Sequence, residues 1–162
     1  MGKKYKLTDE TKVVDGVTLH RIECVTAFGN VEVGEKGGYI EKEGNLSQTG
    51  DAWVCGDAQV CGDAQVCGDA QVYDNALVCG DALVYGNADY IVFKNWWSSG
   101  RYFTWTRSNN KWAVGCFYGT GEELVAKAYK DSEKSGREYE RIVNYVNDIL
   151  KEDNDNRNKH EG

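Results

Sequence analysis

One six-residue phrase, repeated without a break in phase from Asp51 onward, constrains this chain more than any other feature. The units run Asp51-Ala52-Trp53-Val54-Cys55-Gly56, Asp57-Ala58-Gln59-Val60-Cys61-Gly62 and Asp63-Ala64-Gln65-Val66-Cys67-Gly68. They continue as Asp69-Ala70-Gln71-Val72-Tyr73-Asp74, Asn75-Ala76-Leu77-Val78-Cys79-Gly80 and Asp81-Ala82-Leu83-Val84-Tyr85-Gly86, and decay at Asn87-Ala88-Asp89-Tyr90. Self-similarity at a short fixed period predicts a stacked array, in which each unit buries its apolar face on its neighbours. A strand turns alternate residues to opposite faces, so Ala58 and Val60 face inward while Gln59 and Cys61 face out. The Gly-Asp between units is a turn signal, because Gly accepts positive φ and Asp bonds its own backbone.

The pattern resembles the hexapeptide repeat of left-handed parallel β-helices. Three units would then close one triangular coil of 18 residues. Val54 would stack under Val72, Val60 under Val78 and Val66 under Val84, about 4.8 Å apart. Ala58, Val60, Ala64, Val66, Ala76, Val78, Ala82 and Val84 form the expected interior.

Charge is distributed unevenly along the 162 residues, whose formal net charge is −7. Residues 51–92 carry 7 acidic side chains and no basic one. Residues 93–120 carry Lys94, Arg101, Arg107 and Lys111, no acidic residue, and four of the five tryptophans. The acidic remainder should repel a nucleic-acid backbone, so direct binding to duplex DNA is not expected. No apolar run is long enough to span a membrane and no signal-peptide pattern is seen, so a cytosolic protein is expected. Four of the six cysteines, Cys55, Cys61, Cys67 and Cys79, share one outward repeat position with Tyr73 and Tyr85. That is a tolerated slot rather than a disulfide framework.

The rest of the chain divides around the repeat. Residues 1–50 read as a β-hairpin cap, with Asp15-Gly16 between apolar runs. Residues 51–90 are the repeat. Residues 91–151 read as a three-stranded meander, from Tyr90 to Trp97, Arg101 to Arg107 and Lys111 to Tyr118, followed by two helices. Thr120 and Glu123 form a capping box at the first helix. Leu124, Val125, Ala128 and Tyr129 make its apolar stripe. Beyond a break at Ser135-Gly136, Tyr139, Ile142, Val143, Val146, Ile149 and Leu150 recur at helical spacing. Residues 152–162 read as a mobile polar tail. The expected fold class is mainly β: a short left-handed parallel β-helix with an N-terminal β cap and a C-terminal α+β element of meander and helices.

About 40 residues of repeat bury little by themselves. Outward Gln59 and Gln65 give way one coil later to Leu77 and Leu83, beside Tyr73 and Tyr85. These four residues form a docking surface, to be covered by the C-terminal helices or by other subunits of a homotrimer.

Three groups of residues carry a further resemblance: Gly37-Gly38-Tyr39-Ile40 with Asn45-Leu46-Ser47, the Gly-Asp/Asn-Ala-x-Val repeats, and Gly115-Cys116-Phe117-Tyr118-Gly119-Thr120 before an acidic helix. Together they resemble a family of small phage and prophage hexapeptide-repeat proteins of unknown activity. The resemblance implies a phage-encoded accessory protein in the host cytosol and supplies no catalytic residue.

Sites follow from side-chain inventory. Acyltransferases on this fold use a histidine base between coils, but His20 falls in the hairpin and His160 in the tail. Two histidines also cannot supply the three zinc ligands of the carbonic anhydrases on this fold. Cys61 and Cys79 lie 18 apart and stack as half a metal site or an occasional disulfide, with no third and fourth ligand. Stacked pairs such as Asp63 and Asp81 have the turn as sufficient explanation, so no metal is expected, and no cofactor. Gly119-Thr120-Gly121 could receive a phosphate, but Glu122 and Glu123 already fill that helix end.

The aromatic-basic segment is the candidate binding surface: Lys94, Trp96, Trp97, Arg101, Tyr102, Trp105, Arg107 and Trp112. About half of its aromatics are needed as core under the helices. Arg101 and Arg107, six apart on one strand, would share a face and bracket an extended ligand. Arg with aromatics suits binding hot spots and nucleobases. The expected function is a non-enzymatic phage-encoded binding protein used in counter-defence. It would occlude a host defence protein, such as a CRISPR effector, or sequester a small anionic nucleotide signal. The alternatives are an acyltransferase-like enzyme and a self-assembling structural protein.

Overall fold

The computed structural model describes residues 2–161. A hairpin opens the chain: β1 (Tyr5–Val14) and β2 (Val17–Cys24) pair antiparallel, with Val14 opposite Val17. The two-residue turn needs positive φ at both positions, and Asp15 (51°) and Gly16 (81°) supply it. β3 (Lys36–Ile40) pairs antiparallel with β2. Six two-residue strands follow, one per repeat: β4 (Trp53–Val54), β5 (Gln59–Val60), β6 (Gln65–Val66), β7 (Gln71–Val72), β8 (Leu77–Val78) and β9 (Leu83–Val84). They pair in parallel at an offset of one coil, Val54 with Val72, Val60 with Val78 and Val66 with Val84. Every repeat alanine and valine from Ala52 to Val84 is buried.

The expected mainly-β left-handed parallel β-helix is not what forms. The architecture is mixed: a five-stranded sheet ordered β1-β2-β3-β5-β8, antiparallel at one side and parallel at the other, two separate two-stranded parallel pairs, a four-stranded antiparallel sheet, and two helices. Among the described residues no sheet closes or winds on as a solenoid. The physical reason is length. Each repeat gives only two residues of strand before a Gly-Asp turn, and two tiers of repeat provide a single step of parallel pairing. The hairpin and the C-terminal third then outweigh the repeat.

The residues around the repeat explain two of the motifs in the sequence. A Cβ on Gly38 would stand 2.8 Å from the Ala58 carbonyl oxygen, and one on Gly37 would collide with Val54 and Trp53. Only glycine lets β3 approach the repeat so closely. Asn45 is fully buried and fully bonded. Its Nδ2 donates to the Gly62 and Ala64 carbonyls (3.1 and 2.9 Å), and its Oδ1 accepts from the Glu41 and Lys42 amides (3.1 and 2.9 Å). Lys4 is buried too; its Nζ donates to the Ala52 carbonyl (2.7 Å), and burial lowers its pKa.

The chain past the repeat forms β10 (Tyr90–Lys94), β11 (Tyr102–Thr106), β12 (Lys111–Val114) and β13 (Phe117–Gly119), a four-stranded antiparallel sheet in sequence order. The expected third strand is thus two, because Gly115 (φ 56°) turns the chain between Val114 and Phe117. α1 (Gly121–Asp131) and α2 (Glu133–Glu161) follow, broken at Ser132 rather than at Ser135-Gly136. The stretch expected as a mobile tail continues α2 to Glu161; Gly162 and the side chain of His160 lie outside the described residues. No helix among the described residues is long and apolar enough to cross a membrane.

The sheet lies between two cores, and its alternation shows it. Tyr90 and Val92 pack on the repeat, while Ile91, Phe93, Phe103, Trp105 and Trp112 pack on Leu124, Ala128, Tyr139, Val143 and Val146 of the helices. Leu77 and Leu83 are therefore half-covered by the chain's own sheet, not by its helices, whereas Tyr73 and Tyr85 stay exposed.

Backbone chemistry drives that docking. N–H groups of the first tier donate to carbonyls of the second, as Gln59 does to Ala76 (2.9 Å). The alternate N–H groups of the second tier, on Gln71, Leu77, Leu83 and Tyr85, point away from the first and have no strand above them. Side-chain oxygens fill the gap: Asn87 for Gln71 (3.2 Å), Thr104 for Leu77 (2.8 Å), Ser108 for Leu83 (2.7 Å) and Asp89 for Tyr85 (2.8 Å). Thr104 is almost fully buried. Thr104→Val keeps its volume and orphans the Leu77 amide, so it should destabilise the chain by about 1–3 kcal/mol in chemical denaturation. Thr104→Ser should recover most of that loss.

Candidate functional site

The eight expected contact residues separate into three groups. Trp105 (0% exposed) and Trp112 (1%) are core, pressed between sheet and helices. Their positions β11–β12 face to face, paired directly across the ladder, bury both rings on the helical side. Neither can meet a partner. Arg107 is engaged within the chain. Its Nη1 pairs with Asp153 of α2 (2.6 Å), its Nε donates to the Ala88 carbonyl (3.0 Å), and its guanidinium lies over the Trp105 ring. It joins repeat, sheet and helix, so it does not bracket a ligand with Arg101.

The remaining residues gather at the β10–β11 connection, residues 95–101. Lys94 stands over the Tyr102 ring, its direct partner across the ladder. Trp96 is 65% exposed, with the Lys134 ammonium 5.6 Å from its ring centre. Trp97 turns the other way: its indole N–H donates to Ser135 Oγ (2.9 Å) and its ring meets Tyr139 edge-on. The two tryptophans stand in a turn rather than on an extended strand, with their rings in edge contact, yet one is exposed and the other half-buried.

Asn95 builds this loop. It is buried, its amide donates to the Arg101 carbonyl (2.8 Å), and its carbonyl accepts from Gly100 (2.9 Å). Its Oδ1 accepts from the Ser98 amide and hydroxyl (2.9 and 3.1 Å), and its Nδ2 faces the Tyr139 hydroxyl (3.5 Å). Gly100 takes φ 72°, which closes the turn.

Behind the loop, between it and the helices, is a cavity of about 370 Å³. Its polar lining includes Ser98, Ser99, Arg101, Lys127, Ser132 and Tyr139. Asp131 also lines it and offsets one of the two cations. Among the described residues neither Arg101 nor Lys127 is in an ion pair. Burial pushes the Tyr139 phenol up, against the pull of its Asn95 hydrogen bond and the nearby Arg101 charge. Its hydroxyl therefore stays protonated at neutral pH. The arrangement can offer hydroxyls and two cations to an anion of small-molecule size.

Ser98, Cys116 and Asp131 all line the cavity. Ser98 Oγ donates to a carboxamide oxygen, Cys116 sits at the exposed β12–β13 turn, and His20 lies away on β2 beside the Thr8 carbonyl. Asp63 pairs with Lys42 (3.1 Å), and Asp81 accepts from Asn109 (2.9 Å), so these stacked carboxylates have protein partners. The start of α1 is capped as expected: Thr120 Oγ1 accepts from the Glu123 amide and Glu123 Oε1 from the Thr120 amide (both 3.1 Å). Those bonds hold the Glu123 carboxyl below its usual range and occupy the helix end.

Sequence reasoning missed Asn95, Lys127, Ser132, Ser135 and Tyr139 as cavity residues. Lys127 had one signal, its place three residues after Leu124 at the edge of the apolar stripe. The others carry no signature outside the folded chain. No protein-family model matches this chain, and no curated protein matches it. The division of tryptophans into core and surface is directly measurable. Trp105→Ala should cost about 3–5 kcal/mol of stability. Trp96→Ala should stay within about 0.5 kcal/mol of the parent.

Proposed function

We propose that this chain is a non-enzymatic binding protein that holds a small anionic ligand, of nucleotide character, at the β10–β11 loop. The observation that carries the reading is the cavity lined by Arg101 and Lys127 together with serine and tyrosine hydroxyls. Two cations outside ion pairs among the described residues supply charge, and the serine and tyrosine hydroxyls supply hydrogen bonds. His20 lies away from this lining, on β2, which supports binding rather than histidine-assisted turnover. The side-chain caps on the second tier's N–H groups support a discrete protein over a self-assembling one, because a capped edge cannot template another strand.

The biological setting follows from the resemblance to phage and prophage proteins: a counter-defence protein in the host cytosol that sequesters a nucleotide signal. Occlusion of a host defence protein is the second reading, favoured by Trp96 and Lys134 standing outside the cavity on open surface. A homotrimer belongs to the same proposal. With Leu77 and Leu83 half-covered, its contacts would fall to Tyr73 and Tyr85.

A panel of mononucleotides and cyclic dinucleotides, titrated calorimetrically against the intact protein, tests the reading. At least one probe should bind, more weakly as salt rises. Arg101→Ala with Lys127→Ala should weaken it by roughly tenfold or more at unchanged melting temperature, each lost charge-assisted contact contributing about 1–2 kcal/mol. If no probe binds, the small-ligand reading is wrong. If binding survives the double substitution, the cavity is the wrong place.

A further inference from the structure

The outward repeat position that carries Cys55, Cys61, Cys67 and Cys79 places two of these thiols against each other. Cys61 and Cys79 belong to successive tiers, and their Sγ atoms are 3.3 Å apart. The backbone fixes them there. The Cys61 amide donates to Val78 (3.0 Å), the Asp63 amide donates to Gly80 (2.9 Å), and Gly62 and Gly80 repeat one turn at φ 65°. The same register sets Cys55 against Tyr73 and Cys67 against Tyr85. Cys24 is buried in the cap, where its thiol donates to the Thr26 carbonyl, and Cys116 sits on the β12–β13 turn. Neither pairs with another thiol.

We propose that Cys61 and Cys79 form an oxidisable dithiol site, which a low-molecular-weight disulfide converts to a cross-link between the two tiers. Cα atoms of stacked parallel strands lie about 4.8 Å apart, within the range that disulfides bridge. Bonding needs the two sulfurs to close by only about 1.2 Å, which side-chain rotation supplies. Both residues are half-buried rather than sealed. The hydrogen bond between them pulls the Cys61 thiol down and pushes the Cys79 thiol up, while Asp15 and Glu41 oppose ionisation of Cys61. Cys61 is therefore the attacking sulfur.

The step balances. The Cys61 thiolate attacks one sulfur of the small disulfide, an S–S bond breaks, and one small thiol leaves. The Cys79 sulfur, giving its proton to water, then attacks the Cys61 sulfur of the mixed disulfide and releases the second small thiol. The protein dithiol loses two electrons, and the small disulfide gains them.

Oxidised glutathione is the probe. Residues 57–62 and 63–68 have the same sequence, so the cross-link is mapped in a Cys67→Ser variant. After treatment with oxidised glutathione, alkylation and cleavage before aspartate, peptide 57–62 should be joined to peptide 74–80. The joined species should lose the mass of two hydrogens and revert with excess monothiol. Oxidised protein should melt roughly 5–10 °C higher than reduced protein, as expected for a closed loop of this length. Cys61→Ser and Cys79→Ser should each abolish the joined peptide and the shift. Two results overturn the proposal: both thiols of the folded wild-type chain alkylate freely after oxidation, or the reaction halts at a glutathione adduct on Cys61. These measurements are made on wild-type or Cys67→Ser protein, so poor folding of a single serine variant leaves them decisive.

Discussion

A row of upward-pointing amides governs how this molecule is assembled. Parallel pairing uses alternate amides of the second tier, so the others, on Gln71, Leu77, Leu83 and Tyr85, point away from the first tier. A buried N–H without an acceptor costs as much as a lost hydrogen bond or more. A third tier would have answered the need, but the repeat ends at Asn87. The chain instead brings oxygen atoms from Asn87, Asp89, Thr104 and Ser108 to the edge. Two of those four sit on the C-terminal sheet or its turn, which is why that sheet lies where it does. Asn109 and Tyr118 add to the same junction by bonding each other and, through Asn109, Asp81.

Docking by one face leaves the other face of the sheet to the helices. A sheet apolar on both sides needs more large side chains than one packed on one side. Phe93, Phe103 and Trp112 form one ring cluster that meets Tyr139 through Phe103, Trp105 packs in the same core, and Tyr90 and Val92 serve the opposite one. The concentration of tryptophan in residues 93–120 thus has a structural cause. What it does not explain is Trp96. Its ring is the one indole left outside, on a loop whose backbone is held by Asn95.

How much of this was legible in the sequence depends on the range of the interaction. The Asp15-Gly16 turn, the Thr120–Glu123 box, the inward Ala and Val positions and the pairing offset are local or strictly periodic, and each could be read from the residues. The fold class could not. A repeat identifies its own pairing, but not how many tiers it takes to dominate a chain, and two tiers of two-residue strands do not. The site was legible in half. Lys94, Trp96, Arg101 and Tyr102 fall on the surface by the loop, whereas Trp105, Trp112 and Arg107 do not serve it. The Arg107–Asp153 pair spans 46 residues, and no sequence pattern announces such a partner. Reading the basic run as free charge overlooked that α2 would extend past Asp153 and meet it.

That ion pair also sharpens the charge argument. Four cations and no acid in residues 93–120 made the whole segment look like one positive surface. Arg107 is neutralised, and Lys111 stands close enough to Glu123 to lower its pKa. The field that remains comes from Lys94 on the sheet and Arg101 on the loop, with Lys127 and Lys134 contributed by the helices. Positive charge is thus concentrated at one end of the sheet, by the loop and the cavity, in a chain whose repeat is wholly acidic. A concave, partly apolar wall strengthens a local field that solvent would screen on a flat surface. On the proposed reading, an anion would be repelled by the acidic repeat and drawn to the β10–β11 loop. Two of the four cations, Arg101 and Lys127, line the cavity itself with Asp131 beside them, so the local charge depends on how the loop and α1 are held together.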